Sequence, residues 1–483
     1  MRWWFIAGVI GILLILLGLT MVIPLLVSLY YHDQAQDGFI RSIGISMAAG
    51  LILALLSRKK ERDDYINQKE GMTAVALAWI SMGIFGALPF YFRPEFTCFT
   101  DAFFESVSGF TTTGSSVMTN IEAAAPSLLF WRSFIQWLGG MGIIVLSIAI
   151  LPFLGVGGIQ LYKAEVPSPV PDKLTPRLSD SAKILWVVYA VLTLLQIIFL
   201  LSGGMNLFEA VCHAFTTMPT GGFSTRNASI AHYNSAFFDY TLIFFMILAG
   251  INFTLYFQML RGKTLIFWED TECRFFLLFT LAMTLLVTWD IYGSLYQTLS
   301  EAFRFASFQV VTILTTTGFA TADYEKFPGL SQMILFFCMF VGASAGSTGG
   351  GIKCSRIIVC CKYVYRELFR IIHPRSVSHV KVNSVVISND VLRSIMAFIA
   401  LYVAVFVMSS MLLGIMGLDM MTSFGAVAAC LGNIGPGFGT VGPTENFAHL
   451  PAAAKWLLSF CMLLGRLELY TLIILIVPEF WKK

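Results

Sequence analysis

Two stretches of this chain place oxygens where a dehydrated cation could use them. Phe104 to Gly114 reads F-E-S-V-S-G-F-T-T-T-G and Phe308 to Gly318 reads F-Q-V-V-T-I-L-T-T-T-G, with the same spacing from the leading Phe to the closing Gly. Each is a short apolar segment, too short to cross a hydrocarbon layer of ~30 Å, that runs into three threonines and a glycine. Such a segment dips into a membrane and returns. A cation crossing hydrocarbon must exchange its water for oxygens already in place, and backbone carbonyls supply these without a charge that would trap the ion. Glycine permits the dihedrals that turn successive carbonyls inward, and threonine adds a hydroxyl nearby.

Two weaker copies follow when that template is slid along the chain. H-A-F-T-T-M-P-T-G-G-F has its matching glycine at Gly222, and S-F-G-A-V-A-A-C-L-G-N-I-G ends at Gly435, so four glycines fall 108, 96 and 117 residues apart. Self-similarity at roughly even spacing marks an internal repeat. Four such loops around one axis make a selectivity filter. Its ion-facing residues are expected to be Thr112, Thr113, Thr220, Gly221, Thr316, Thr317, Asn433 and Ile434, closed by the filter glycines Gly114, Gly222, Gly318 and Gly435. The short helix before each loop would point its partially negative C-terminal end at the membrane centre. A lone T-T-T-G also occurs where transmembrane helices pack closely; two at matched distance after matched segments carry the argument. Pro219 in the second copy and Asn433-Ile434-Gly435-Pro436 in the fourth depart from the pattern, so four-fold symmetry is expected only approximately.

The elements that position these loops must be membrane spans. The chain is 57% hydrophobic and 12% charged, against about 25% charged in an ordinary soluble domain. It therefore reads as an all-α polytopic membrane protein. Residues 3–31 are too long for a signal-peptide core and lack a cleavage pattern, so they are a retained first span, with 42–57 the second. Paired spans then flank each loop: 72–92 and 129–154, 184–203 and 237–260, 275–290 and 330–352, 393–414 and 453–478. The expected organisation is two N-terminal transmembrane helices in 1–70, then four membrane helix, pore loop, membrane helix repeats in 71–163, 164–262, 263–372 and 373–483.

With the N-terminus cytoplasmic, 23 of the 31 Lys and Arg residues fall on the inner side and seven on the outer, a bias that fixes orientation by the positive-inside rule. Both termini are then cytoplasmic and all four loops enter from outside. The outer side holds half of the 28 acidic residues, among them Asp101, Glu105, Glu209, Glu301, Asp323, Asp419 and Glu445; they either attract cations to the mouth or merely collect outside. The inner loops 163–183, rich in proline, and 353–393 are candidates for docking a cytosolic partner. Nine cysteines show no metal-binding spacing, and no His or carboxylate pair sits at catalytic spacing within the spans, which argues against an enzyme.

Each second span carries a break 26 to 30 residues beyond its filter glycine: Gly139 to Gly142, Gly250 to Asn252, Gly342 to Gly351, and Gly465 to Glu468. The third, with five glycines in ten residues, is not expected to hold a helix against lipid and must line a cavity or be buried in protein. It resembles a phosphate loop superficially, but Gly351-Ile352-Lys353-Cys354 lacks the adjacent Gly-Lys-Ser/Thr, and membrane depth excludes ATP. It is either a packing element or a movable plug built on Gly346, Ser347, Thr348, Gly349, Gly350 and Gly351. Arg466 is the one basic residue inside a predicted span, at a cost of about 3 kcal/mol. It is either a functional, inward-facing residue or half of a structural ion pair.

These residues resemble the Trk/Ktr/HKT superfamily of potassium transporters, most closely its bacterial Trk-type uptake subunits. The likeness rests on D-A-F-F-E-S-V-S-G-F-T-T-T-G at 101–114, Q-W-L-G-G-M-G-I-I-V at 136–145, I-L-P-F-L-G-V-G-G at 150–158, G-G-F-S-T at 221–225, A-G-S-T-G-G-G-I-K at 345–353, N-I-G-P-G-F-G at 433–439 and G-R-L-E at 465–468. The resemblance implies potassium (K+) uptake across the bacterial inner membrane, four units around one pore, a homodimer, and a cytosolic RCK-type subunit that binds NAD or another nucleotide and regulates it. It also implies that a glycine at every filter position goes with potassium selectivity, that residues 342–353 gate the pathway and that Arg466 forms a barrier, with no organic cofactor in this chain. The reading from another class is a proton- or sodium-coupled carrier of a small polar solute. Four parallel repeats, none with a midplane acid in its first span, weigh against it.

Overall fold

The computed structural model describes residues 1–57, 68–142, 178–376, 378–383 and 385–482. The basic stretch at 58–67, the proline-rich loop and the end of the span predicted for 129–154 lie outside the described residues. Among the described residues the regular secondary structure is helical apart from one two-stranded hairpin, Lys381–Val382 against Val385–Val386, and a single bridge between Tyr292 and Tyr296.

Among the described residues, six helices are long and apolar enough to cross a membrane: Trp3–Tyr31, Gln36–Ser57, Lys69–Tyr91, Lys183–Ser202, Thr271–Ile291 and Asn389–Ile415. They carry exposed Leu, Ile, Val, Phe and Met along their outer faces, such as Leu194, Ile198, Leu281, Leu285 and Met411. Hydrocarbon is the solvent in which such faces are stable. The first two helices pack through small residues: a Cβ on Gly50 would meet the Gly11 carbonyl oxygen at 2.7 Å, so glycine permits the close approach.

The helix that opens the second span of each repeat stops at or beside the break that the sequence places there. These helices are Pro126–Trp137, Ala236–Gly250, Gly329–Val341 and Ala452–Arg466. Each is too short to cross ~30 Å at 1.5 Å per residue. Three of them begin at a proline, which cannot donate an amide and so costs nothing at a helix start: Pro126, Pro328 and Pro451. The second continues, after a 91° bend, as Phe253–Leu260, and the fourth, after a 115° bend, as Tyr470–Ile476. The third resumes as Cys354–Ile372. This corrects the reading of 353–393 as a loop, because the segment holds a 19-residue helix and the hairpin. Two of its basic residues, Lys353 and Arg356, are buried.

Four short helices stand between the paired spans: Phe99–Phe110, Leu207–Thr217, Leu299–Leu314 and Met420–Leu431. Three start on side-chain caps, with Asn206, Thr298 and Asp419 each accepting the amide of the residue three further on. The termini of the chain meet on one face, where Trp3 stacks on Trp481 at 6.1 Å and Arg2 pairs with Glu70 at 2.9 Å.

Candidate ion pathway

All four short helices end in the same backbone turn. The residue two before each glycine has a left-handed φ: Thr112 at 53°, Thr220 at 57°, Thr316 at 59° and Asn433 at 54°. The glycines follow at 86°, 72°, 84° and 110°. In every copy the amide just before the glycine donates five positions back into the helix: Thr113 to the Ser108 oxygen, Gly221 to Thr216, Thr317 to Thr312 and Ile434 to Ala429, all at 2.8 to 2.9 Å. A left-handed residue costs about 1 to 2 kcal/mol when it carries a Cβ, and its recurrence four times shows that the surroundings impose it. Pro219 does not alter the path. It removes one amide, the counterpart of the Thr111 amide that bonds the Val107 oxygen at 2.8 Å, and the remaining bonds hold Thr220 where Thr112 and Thr316 stand.

The glycines interlock as a ring. A Cβ on Gly114 would strike the Gly221 carbonyl oxygen, one on Gly222 the Thr317 oxygen, one on Gly318 the Ile434 oxygen, and one on Gly435 the Thr113 oxygen. Each loop thus seats its glycine against the carbonyl that precedes the glycine of the next, and the fourth closes on the first. Thr111 and Thr113 share a hydroxyl contact at 2.7 Å, Thr315 and Thr317 one at 2.9 Å, and Asn433 donates to the Thr113 hydroxyl at 2.9 Å. Gln136, from the second span of the first repeat, donates to the Gly221 oxygen at 2.6 Å and accepts from the Phe223 amide. Above the ring opens a cavity of about 80 Å³ lined by all four glycines with Ser224, Asn227 and Glu445 among others.

Below the ring the four helix breaks meet. A π-turn spans Leu138–Gly142, and Gly250, Val341 and Arg466 end their helices. Arg466 donates to the carbonyls of Thr348 at 2.9 Å, Gly139 at 2.7 Å and Gly140 at 2.9 Å, so one guanidinium joins the first, third and fourth breaks. The second joins through the Phe253 amide, which donates to the Gly346 oxygen at 3.1 Å, and the Ser344 amide, which donates to the Gly250 oxygen at 3.0 Å.

The Gly-rich stretch 342–353 is non-helical and fills the space under the ring. The Thr348 hydroxyl donates to the Met218 oxygen at 2.9 Å and the Gly350 amide to the Thr316 hydroxyl at 2.7 Å. A Cβ on Gly349 would stand 3.0 Å from the Thr315 oxygen, and one on Gly350 would overlap the Gly432 oxygen. Only glycine permits that approach. Ser347 closes the turn on the Ser344 oxygen at 2.6 Å.

Several groups here are not apparent in sequence. Lys353, buried and at φ 75°, donates its ammonium to the Gly349 oxygen. Arg356 pairs with Glu468, which with Leu469 takes a left-handed φ at the fourth bend. The Glu272 Oε1 accepts the amides of Ala345 at 2.7 Å and Ser355 at 2.8 Å. Glu272 and Arg356 gave no signal because their partners are 73 and 112 positions away.

At the outer mouth three of the seven expected acids are neutralised by bases outside their own helices. Asp101 pairs with Lys455 at 2.6 Å, Glu209 with Arg226 at 2.6 Å, and Glu105 with Arg132 where both are buried. Asp419 caps its own helix, and the Thr422 hydroxyl and amide hold its carboxyl below the usual range. Burial pushes the Glu325 carboxyl up, against the pull of the Gly439 amide, with Asp323 and Glu445 adding to the rise. The outer field therefore rests on fewer free carboxylates than the sequence suggests.

The chain matches the TrkH family, described as a cation transport protein, over residues 38–483. It is 40% identical over 487 residues to the Trk system potassium uptake protein TrkH of Escherichia coli K12, covering 99% of each chain. It is 35% identical over 475 residues to the Trk system potassium uptake protein TrkG of the same organism, covering 98% of this chain and 97% of the relative. The crystal structure of the potassium transporter TrkH from Vibrio parahaemolyticus superposes with a TM-score of 0.90 at 36% identity, covering 100% of both chains.

Proposed function

The chain belongs to the TrkH family of cation transport proteins, and on that premise we propose that it is the membrane subunit of a potassium uptake system. The ion passes between the four loops, discriminated by the oxygens around Thr112, Thr113, Thr220, Gly221, Thr316, Thr317, Asn433 and Ile434. The closed ring of glycine against neighbouring carbonyl is the observation that carries this reading. A ring of this kind fixes the spacing of oxygens contributed by four different loops, and fixed spacing lets a site replace the hydration shell of one ion better than that of a smaller one. Four short helices aim their C-terminal ends at the same place, where their partial negative charge favours a cation without binding it irreversibly.

Beneath the ring, residues 342–353 act as the gate. Passage requires the loop to leave the space under Thr315 and Gly432, and Arg466 presents a positive charge in a poorly screened setting. The regulator is a cytosolic nucleotide-binding subunit of RCK type, docked on the face that carries the basic excess, and the chain works as a homodimer in the bacterial inner membrane with both termini inside. The test is potassium uptake at low external concentration by cells that lack their own uptake systems. Growth restored by this chain with a cytosolic regulatory subunit supports the reading. Expression at the membrane without potassium uptake sinks it.

A further inference from the structure

We infer that Glu272 is a positioning residue for the gate, clasping both ends of the Gly-rich loop and tying them to the inner-face hairpin. The inference rests on the gating role proposed for residues 342–353 and adds the point at which movement enters. One carboxylate oxygen of Glu272 accepts the Ala345 amide, inside the loop, and the Ser355 amide, in the first turn of the helix that follows. The Ser355 amide is among those that a helix start leaves without an intrahelical carbonyl, and a carboxylate there also gains from the helix dipole. The loop cannot swing out while both bonds hold, because its two ends share one acceptor.

The clasp continues towards the inner face. Glu272 lies in the first turn of Thr271–Ile291, and the neighbouring residues at that helix start are bound by Asn383 of the hairpin. Asn383 donates to the Asp270 carboxylate at 2.6 Å and accepts the Thr271 amide at 2.8 Å. Its φ of 49° is a turn conformation that asparagine tolerates. The hairpin is exposed, so a partner that grips it pulls on Asp270 and Thr271 and, one residue on, on the acceptor that holds the loop. This gives the two-state element that a coupling claim requires: a loop held by both amides or released.

The test uses the full chain in vesicles of bacterial phospholipid. Rubidium influx, the amount of protein in the membrane, and reaction of Ser347→Cys with a charged thiol reagent, read by mass spectrometry of the loop peptide, are measured for Glu272→Ala, Glu272→Gln and Asn383→Gly. Hydrogen bonds to a charged acceptor are worth enough that Glu272→Ala should raise loop labelling and basal influx about tenfold. Glu272→Gln keeps an oxygen acceptor and should give a smaller rise. Asn383→Gly keeps the turn, removes the side chain, and should raise both readouts on its own, by less than Glu272→Ala does, while adding nothing in the double variant with Glu272→Ala. If Glu272→Ala fails to reach the membrane, Glu272→Gln and Asn383→Gly decide. Parental labelling and influx in every variant that reaches the membrane would overturn the clasp. Deletion of Ala345 to Gly349 separates the two readings: if it raises influx while the Glu272 variants do not, the clasp alone is wrong, and if neither does, the gate is wrong as well.

Discussion

Replacing Gly318 with serine tests the ring most directly. Gly318 sits at φ 84°, and a Cβ there would overlap the Ile434 carbonyl oxygen and stand 3.0 Å from the Pro436 Cδ. The left-handed φ costs about 1 to 2 kcal/mol. To restore a carbon to oxygen separation of about 3.3 Å, the carbonyl or the whole fourth loop must move by roughly 1.4 Å. The displaced oxygen belongs to a different repeat, so the damage appears at the site where four loops share an ion. A loss of discrimination of about tenfold to a hundredfold between potassium and sodium follows if the shift costs the potassium site some 1.4 to 3 kcal/mol. Gly222→Ser should behave alike, through the Thr317 oxygen. Gly435→Ser is milder in contact, since its Cβ would lie 2.8 Å from the Thr113 oxygen. Gly204 supplies the control, because its φ of 93° carries the same backbone strain with nothing within 4 Å. Fluxes in potassium and in sodium, normalised to protein in the membrane, give the ratio. If Gly318→Ser and Gly222→Ser discriminate as the parent does, or if Gly204→Ser loses discrimination equally, the ring does not set selectivity.

Deleting Ala345 to Gly349 should raise basal potassium flux and reduce its dependence on a cytosolic partner, and Arg466→Ala should raise flux by removing both a charge and three carbonyl contacts; normal membrane amounts with parental flux in both would make the loop a packing element. The buried pair of Glu105 and Arg132 should cost about 3 to 5 kcal/mol when one partner is removed, seen as lost membrane protein for Arg132→Met, with partial recovery when Glu105→Leu is added. Crosslinking from 163–183 and 353–393 to a co-purified cytosolic subunit should succeed; crosslinks found only from the outer loops would refute the docking face.

The membrane class, the four loops and the four breaks were legible in the residues because each depends on local chemistry. Apolar length requires hydrocarbon, and glycine recurring at matched spacing requires either a left-handed turn or a close approach. Even the irregular copies obeyed this: Asn433 takes the left-handed position of Thr112 because asparagine tolerates it, and Pro219 gives up one amide that the turn can spare. What the sequence could not carry was which distant groups meet. Asp101 reads as a free acid until Lys455, 354 residues later, comes to 2.6 Å. Gln136 looks like an ordinary helix residue until it straps the Gly221 carbonyl. Arg466 announced itself as costly in hydrocarbon, but its answer, carbonyls left open by helix breaks at Gly139, Gly140 and Thr348, exists only once three repeats are folded around one axis. Local backbone demands are written residue by residue, whereas charge pairing depends on distance in space, and only the tertiary structure sets that distance.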